Sequence, residues 1–315
     1  MGKYKFIKKS ILGFCLLMMC VQPFKPENEK VDADVTVIHG DFNGDGKVNV
    51  MDKIYIKQYK LGERTTFPVT NWRAAAGVTD IGSTVSDFPD VNKYILKAES
   101  DIFIGEDISC FNGIDVSKWQ GVIDWNTVKE AGIDFVMIKA GEGLSIEETF
   151  FRNIEGAKKA GVQCGIYWFA NARTVEQAKL EAMACKTVMT NYKLEYPVVY
   201  DFEYRTLDNN NPLATDRKAA TDAIIAFLDI IAEHNYYPMV YSNKDFPNRY
   251  LEIERITEKY DFWYANLSVT TPDVECTMWQ YSHTGRVPGI PEIVDRDYSF
   301  IDYKSRMIEL GLNGY

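Results

Sequence analysis

Tyr196-Pro197-Val198-Val199-Tyr200-Asp201-Phe202-Glu203-Tyr204 reads as a buried strand that ends on two carboxylates. Side chains alternate across a strand, so residues two apart share a face. Val199, Asp201 and Glu203 point one way; Val198, Tyr200 and Phe202 point the other. An apolar strand with acids at its C-terminal end suits one strand of a β/α barrel, where chemistry sits at that rim. Two neighbouring carboxylates are also the minimum equipment for cleaving a glycosidic bond. Taken alone, the segment is equally a surface strand end with two solvated acids.

Its surroundings favour the barrel. Before it, Gly113–Ser117, Asp134–Ala140 and Val162–Ala170 read as strands, separated by helical segments at Trp125–Ala131 and Phe150–Ala160. A helix over Thr174–Thr190 leads into the Pro197–Glu203 strand. A long helix over Ala214–Glu233 follows it, then a strand at Pro238–Ser242. Phe262–Asn266, Thr277–Tyr281 and Ile293–Asp295 read as three more strands joined by loops. Strand–helix alternation implies parallel strands, and eight of them suggest closure. The shrinking helices of the last third predict an irregular β/α barrel. An open doubly wound sheet is the alternative, but the chain has no glycine-rich phosphate loop to go with it.

Polar residues gather at the ends of these strands. Asp115 ends the first, Lys139 and Glu142 the second, Asp201 and Glu203 the fourth, Tyr241 the fifth. Trp279 and Gln280 end the seventh and Asp295 the eighth, while Tyr167 lies within the third. On one rim, Asp115, Asp201, Glu203 and Asp295 form an acidic cup. Trp119, Trp168 and Trp279 are candidate sugar platforms, and each is equally a packing residue.

The 315 residues suffice for one large domain and a small one. A net charge of −10 argues against nucleic acid as a partner. At the N-terminus, Lys3, Lys5, Lys8 and Lys9 precede an apolar run from Ile11 to Val21. That run is too short to span a bilayer and suits a signal-peptide core, which predicts a leader over residues 1–30 and export. Cys20 would serve as a lipid anchor, but Leu17-Met18-Met19 before it are bulky where small residues are expected. Cys110, Cys164, Cys185 and Cys276 are widely spaced with no CxxC pair, which fits buried thiols better than metal ligation.

A separate motif lies at Asp41-Phe42-Asn43-Gly44-Asp45-Gly46-Lys47-Val48-Asn49-Val50-Met51-Asp52. Asp41, Asn43, Asp45, Asn49 and Asp52 fall at positions 1, 3, 5, 9 and 12 of a calcium loop, with Gly46 at the sharp turn. The Lys47 carbonyl takes position 7. Asp52 stands where Glu is usual. A helix over Met51–Leu61 follows, and nothing helical precedes the loop. With Tyr59 and Gly62, this unit resembles the first half of a type I dockerin, a module that plugs an enzyme into a cohesin domain. The second half would be Val78–Leu96, which keeps the closing Lys93-Tyr94-Ile95-Leu96 but not the Asp/Asn ladder. The module is expected over residues 36–100, and a vestigial calcium-stabilised unit without a partner is the rival reading.

From residue 110 to the end a second resemblance is carried by several motifs in order. They are Gly113-Ile114-Asp115-Val116-Ser117-x-Trp119-Gln120-Gly121, Ile138-Lys139-Ala140-x-Glu142-Gly143, Gly165-Ile166-Tyr167-x-Phe169-Ala170 and Tyr200-Asp201-x-Glu203. Tyr241-Ser242-Asn243 and Trp279-Gln280-Tyr281-Ser282-x-Thr284-Gly285-x-Val287-Pro288-Gly289-Ile290 complete the set. Together they resemble the glycoside hydrolase family 25 lysozymes. Trp168 stands where that family often has His, Gly141 where Thr is common, and Val294-Asp295-Arg296-Asp297 where Val-Asp-Leu-Asn is more usual. The offset from Val294 selects Asp295, with Asp297 as fallback. The resemblance implies an N-acetylmuramidase acting on peptidoglycan with no catalytic cofactor. By carry-over Glu203 is the general acid and Asp201 the stabilising or orienting carboxylate, while Asp115 and Asp295 tune charge or position the sugar. Tyr167, Trp119, Trp168, Tyr241, Trp279 and Glu142 are the candidate substrate contacts. A non-catalytic glycan-binding protein and a glycosidase for another amino-sugar polymer are the competing expectations.

Overall fold

The computed structural model describes residues 110–315 other than 209 and 271, together with residues 29, 30, 36, 37, 41, 42, 52 and 55. The chain divides into two compact units, one formed by Lys9–Cys110 and the other containing Phe111–Tyr315. In the first unit Glu29–Lys30 pairs antiparallel with Thr36–Val37. Asp41, Phe42, Asp52 and Tyr55 are buried, and the Phe42 N–H donates to Asp52 Oδ1 at 2.7 Å. Asn43, Asp45, Lys47, Asn49, the degenerate second repeat and the leader with Cys20 lie outside the described residues.

The second unit is a closed β/α barrel. Its strands are β1 (Phe111–Val116), β2 (Phe135–Glu142), β3 (Ser145–Ile146), β4 (Gln163–Phe169), β5 (Val198–Asp201), β6 (Pro238–Asn243), β7 (Asp261–Ala265), β8 (Met278–Gly285) and β9 (Val294–Ser299). The sheet runs β1-β9-β8-β7-β6-β5-β4-β2, and β1 pairs with β2 to close it; the two-residue β3 only folds back on the end of β2. The helices are α1 (Trp125–Glu130), α2 (Phe150–Ala160), α3 (Val175–Met189), α4 (Arg217–Glu233), α5 (Phe246–Arg249), α6 (Ile253–Thr257) and α7 (Tyr303–Leu310).

One expectation is corrected. The strands from β1 to β8 run parallel, but β9 is antiparallel to both of its neighbours, β8 and β1. The chain has no crossover helix between β8 and β9, and the short connection after Gly285 turns it straight back. Asp295 therefore begins its strand instead of ending it. Because the strand is reversed, its beginning lies on the same rim as the other strands' ends, and Asp295 pairs with Asp115.

Local sequence explains the helices that remain. Thr174 and Asp216 cap α3 and α4 by accepting the N–H groups of Gln177 and Ala219. Gly161, at φ 77°, ends α2 in the left-handed region that favours glycine. Inside the barrel, Phe135, Met137, Tyr167, Val199, Met239, Tyr241, Trp263, Ala265 and Met278 form the buried core. The end away from the acids is sealed by α7 and the C-terminal tail. There Asn313 is fully buried and joins Asn235, Tyr237 and Tyr196 by hydrogen bonds of 2.9, 2.7 and 2.8 Å. That seal leaves one open mouth.

Candidate active site

The open mouth is a cleft of about 480 Å³ lined by Asp115, Asp201, Glu203 and Asp295, with Tyr167, Tyr241, Trp119 and Trp263 among its walls. The four acids arrive from three strand ends. Asp115 and Asp295 face each other across the β1–β9 ladder. Asp201 closes β5. Glu203 lies two residues beyond it, still extended at φ −136° and ψ −172°, and starts the tight turn Tyr204–Leu207. The alternation read from the sequence thus carries past the formal end of the strand.

Two cations stand beside one pair of acids. Lys139 and Arg205 both line the cleft and both bind Glu142 Oε2, at 2.6 and 2.5 Å. Their charges pass over the Phe169 ring, at 5.1 and 3.9 Å from its centre. Burial raises the Asp201 carboxyl well above the usual range, and the adjacent Glu203 raises it further, while Lys139 and Arg205 pull it back. Glu203 is also raised, chiefly by burial, and is restrained by Arg205, Lys139 and a hydrogen bond from Asn243. The pair titrates as a unit. No donor among the described residues reaches Asp201 Oδ1.

The opposite wall has no such cation in the cleft. Asp115 is raised by burial and then by Asp295 and Asp297, and it receives one hydrogen bond, from Gln280 Nε2 at 2.7 Å. Gln280 in turn accepts from the Tyr241 hydroxyl at 2.9 Å. Asp295 is pushed up to about 6 by burial, with His283 opposing. The hydroxyls of Tyr167 and Tyr241 are raised far above their ordinary value by burial and the surrounding acids, so both remain donors.

Three proposed contacts are placed elsewhere. Trp168 is fully buried on the outer face of β4, and its Nε1 donates to the Gly143 carbonyl at 2.9 Å. Trp279 is buried outside β8, donating to the Asn266 carbonyl at 3.1 Å. Strand alternation explains both: Tyr167 and Gln280 face inward, so their neighbours face out. Glu142 does not line the cleft. It is held to about 2, since the hydrogen bonds from Lys139 and Arg205 outweigh its partial burial, and it serves to fix those two cations. Trp119 does line the cleft and is 74% exposed. Ser117 and Gln120 build the turn that presents it: the Ser117 N–H donates to Gln120 Oε1 at 2.8 Å.

Lys139, Arg205, Asn243, Gln280 and Trp263 belong to the cleft and were not among the predicted site residues. Alternation again supplies the missed signal, since Lys139 follows Phe135 and Met137 at a spacing of two, and Gln280 follows Met278. Trp263 is in register with Tyr241. Among the described residues there is no cluster of three or more metal-ligating His, Cys, Asp or Glu side chains, and no helix long and apolar enough to cross a membrane. Cys164 and Cys185 are buried thiols.

A family model described as glycosyl hydrolases family 25 matches residues 114–290. The chain is 30% identical over 225 residues to Lysozyme M1 of Streptomyces globisporus, covering 66% of this chain and 73% of that one. It is 30% identical over 189 residues to the autolytic lysozyme of Clostridium acetobutylicum, covering 59% of this chain and 54% of that protein. Among solved structures, the bacterial lysozyme of Streptomyces coelicolor matches with 29% identity and a TM-score of 0.56, over 66% of this chain and 99% of that one.

Proposed function

Since the chain belongs to glycosyl hydrolase family 25, we propose that it cleaves the β-1,4 bond between N-acetylmuramic acid and N-acetylglucosamine in peptidoglycan. The observation that carries the reading is the buried Asp201–Glu203 pair at the open rim, facing Asp115 and Asp295 across one cleft. The lysozymes of similar sequence supply the substrate class.

Glu203 acts as the general acid. Its raised proton affinity keeps a proton available near neutrality, and that proton passes to the glycosidic oxygen as the bond to the anomeric carbon breaks. Positive charge then develops on the sugar ring. Asp201, with Lys139 and Arg205 favouring its charged form, stabilises that charge or orients the substrate's 2-acetamido oxygen to bond to the same carbon. Water then adds to the anomeric carbon and returns a proton to Glu203. Asp115 and Asp295 form the facing wall, while the Tyr167 and Tyr241 hydroxyls donate to the sugar.

The test is mass spectrometry of soluble fragments released from purified peptidoglycan by wild type and by Glu203→Gln. Fragments ending in reducing N-acetylmuramic acid are expected from the wild type and not from the variant. No fragments from either protein, with glycan binding retained, would turn the barrel into a binding protein. Turnover of chitin alone would move it to another amino-sugar polymer.

The protein is exported, and its N-terminal unit is a calcium-stabilised docking module for a cohesin domain. Support comes from the loop pattern and from Asp41 and Asp52, the first and last loop carboxyls, both buried with the Phe42 N–H bonded to Asp52. Asp41, Asn43, Asp45, the Lys47 carbonyl, Asn49 and Asp52 would hold the ion, which would neutralise their charge and fix the loop. Chelation is expected to unfold this unit alone, seen as loss of its own thermal transition while turnover by the barrel is unchanged. Loss of turnover on chelation would contradict the separation.

A further inference from the structure

One acid of the cleft has no part in the reading above. Asp297 is fully buried, two residues beyond Asp295 on the inner face of β9 and below the mouth. Its ladder partner on β1 is Gly113, where a side-chain carbon would lie 2.1 Å from the Phe135 ring. So the floor beside Asp297 is filled by an apolar ring and offers it neither water nor charge. Trp263 Nε1 donates to its Oδ1 at 3.1 Å, and no donor among the described residues reaches Oδ2. Its remaining hydrogen-bond partner is the carboxyl of Asp115. Two carboxyl groups hydrogen-bond to each other only when one of them carries a proton.

The deeper acid is the one to hold it. Asp115 retains slight contact with the cleft and receives the Gln280 amide, whereas Asp297 is cut off from solvent. The charged and titratable groups around the pair point the same way. Asp295 on β9 repels both, Asp201 on β5 repels Asp115, and Arg296 opposes only in part while its Nη2 is engaged by Asn112 at 2.9 Å. His283 on β8 acts on Asp295, and the neighbouring phenols of Tyr167 and Tyr241 stay neutral.

We propose that Asp297 is a positioning residue: a neutral carboxylic acid that donates to Asp115 and, with Gln280, fixes that carboxylate in charge and direction at the wall of the cleft. The effect on turnover rests on the muramidase reading; the protonation state does not.

Two variants separate donation from packing. In Asp297→Asn the amide oxygen can accept from Trp263 and the amide nitrogen can donate to Asp115. Asp297→Leu has similar bulk and no donor. In the full chain, Asp297→Leu is expected to lose kcat on the order of 10²-fold through misplacement of Asp115, and Asp297→Asn to recover it to within about threefold. The acid limb of the pH–rate profile should stay in place in Asp297→Asn, because no charge has been removed. A downward shift of that limb by about one pH unit or more would show that Asp297 had been ionised and overturn the proposal. So would full activity in Asp297→Leu. Infrared difference spectra of wild type against Asp297→Asn at pH 7 need neither substrate nor the Leu variant. A protonated-carboxyl band present in the wild type and missing from the variant supports the assignment, and its absence defeats it even if the cleft serves another glycan.

Discussion

At the sealed end of the barrel Asp261 receives the hydroxyls of Tyr237 and Tyr303 at 2.8 Å each and Arg306 at 3.1 Å. At the open end Asp115, Asp201, Asp295 and Asp297 face one another, and the hydrogen bonds to Asp115 and Asp297 are one amide and one indole N–H. Both ends bury carboxyl groups. The sealed end supplies donors and a cation at the site, so the charge there holds the closing helix in place. The open end withholds them, and proton affinity rises instead. An arrangement short of donors costs stability in the free protein and suits a site whose missing donors are a ligand's hydroxyls and a developing positive charge.

The sharpest break between the two ends is kinetic. Glu203→Gln is expected to lower kcat by on the order of 10²–10⁴-fold, with a melting temperature no lower than that of the wild type. Steady-state assays on labelled cell wall, paired with calorimetry, read both quantities. A variant that melts early while keeping its turnover would place Glu203 among the structural acids and erase the contrast.

Asp261→Ala is the mirror experiment. It strands Arg306 and two tyrosyl hydroxyls, and should cost on the order of 3 kcal/mol in denaturant unfolding with kcat unchanged. Loss of turnover without loss of stability would mean that the sealed end takes part in the chemistry.

Acid should stabilise the open end. Asp295 titrates near 6 in the folded chain, raised by burial against the pull of His283, and near an ordinary value of about 3.9 once unfolded. Between those values the folded state holds the extra proton. The resulting stability is fully present below about pH 4 and is lost as pH rises through about 6, with a size on the order of 2 kcal/mol for this group. Asp115, Asp201 and Asp297 shift in the same direction. Glu142, held to about 2 by Lys139 and Arg205 against its burial, loses its contribution only below that window. The urea midpoint of the barrel, followed by tryptophan fluorescence, should therefore rise as pH falls from 7 to 5. A flat or falling midpoint would mean that the acids are less constrained than the geometry indicates.

The same contrast explains what the sequence made legible. Strand–helix alternation and the Val199/Asp201/Glu203 spacing are local patterns, and they placed the barrel and the acids of its mouth. The direction of β9 is set by the lack of a helix after Gly285, a feature visible as a missing element and easily passed over. Trp168 and Trp279 were proposed beside Tyr167 and Gln280, although neighbours on a strand cannot share a face. Applied throughout, that rule would have moved both rings outside and brought Lys139 inside. Trp263 and Arg205 needed three dimensions. The first depends on register with Tyr241, and the second on a turn that carries it back over Phe169.

The smallest effect is expected from the one tryptophan that the structure leaves at the mouth. Trp119 is 74% exposed, an unfavourable state for a large ring unless something covers it part of the time. It stands on a turn locked by Ser117 and Gln120, and Gln120 is tied to the Ile293 carbonyl at 3.2 Å beside the start of β9. The ring is thus held at the edge of the cleft without packing into it. If a sugar covers it, Trp119→Ala removes contact that is the same in the ground state and the transition state. KM should then rise roughly tenfold with kcat unchanged, the loss of about 1.4 kcal/mol of uniform binding. A fall in kcat of the same size would instead make the ring part of the strained, donor-poor end, and would extend the contrast between the two ends to its outermost residue.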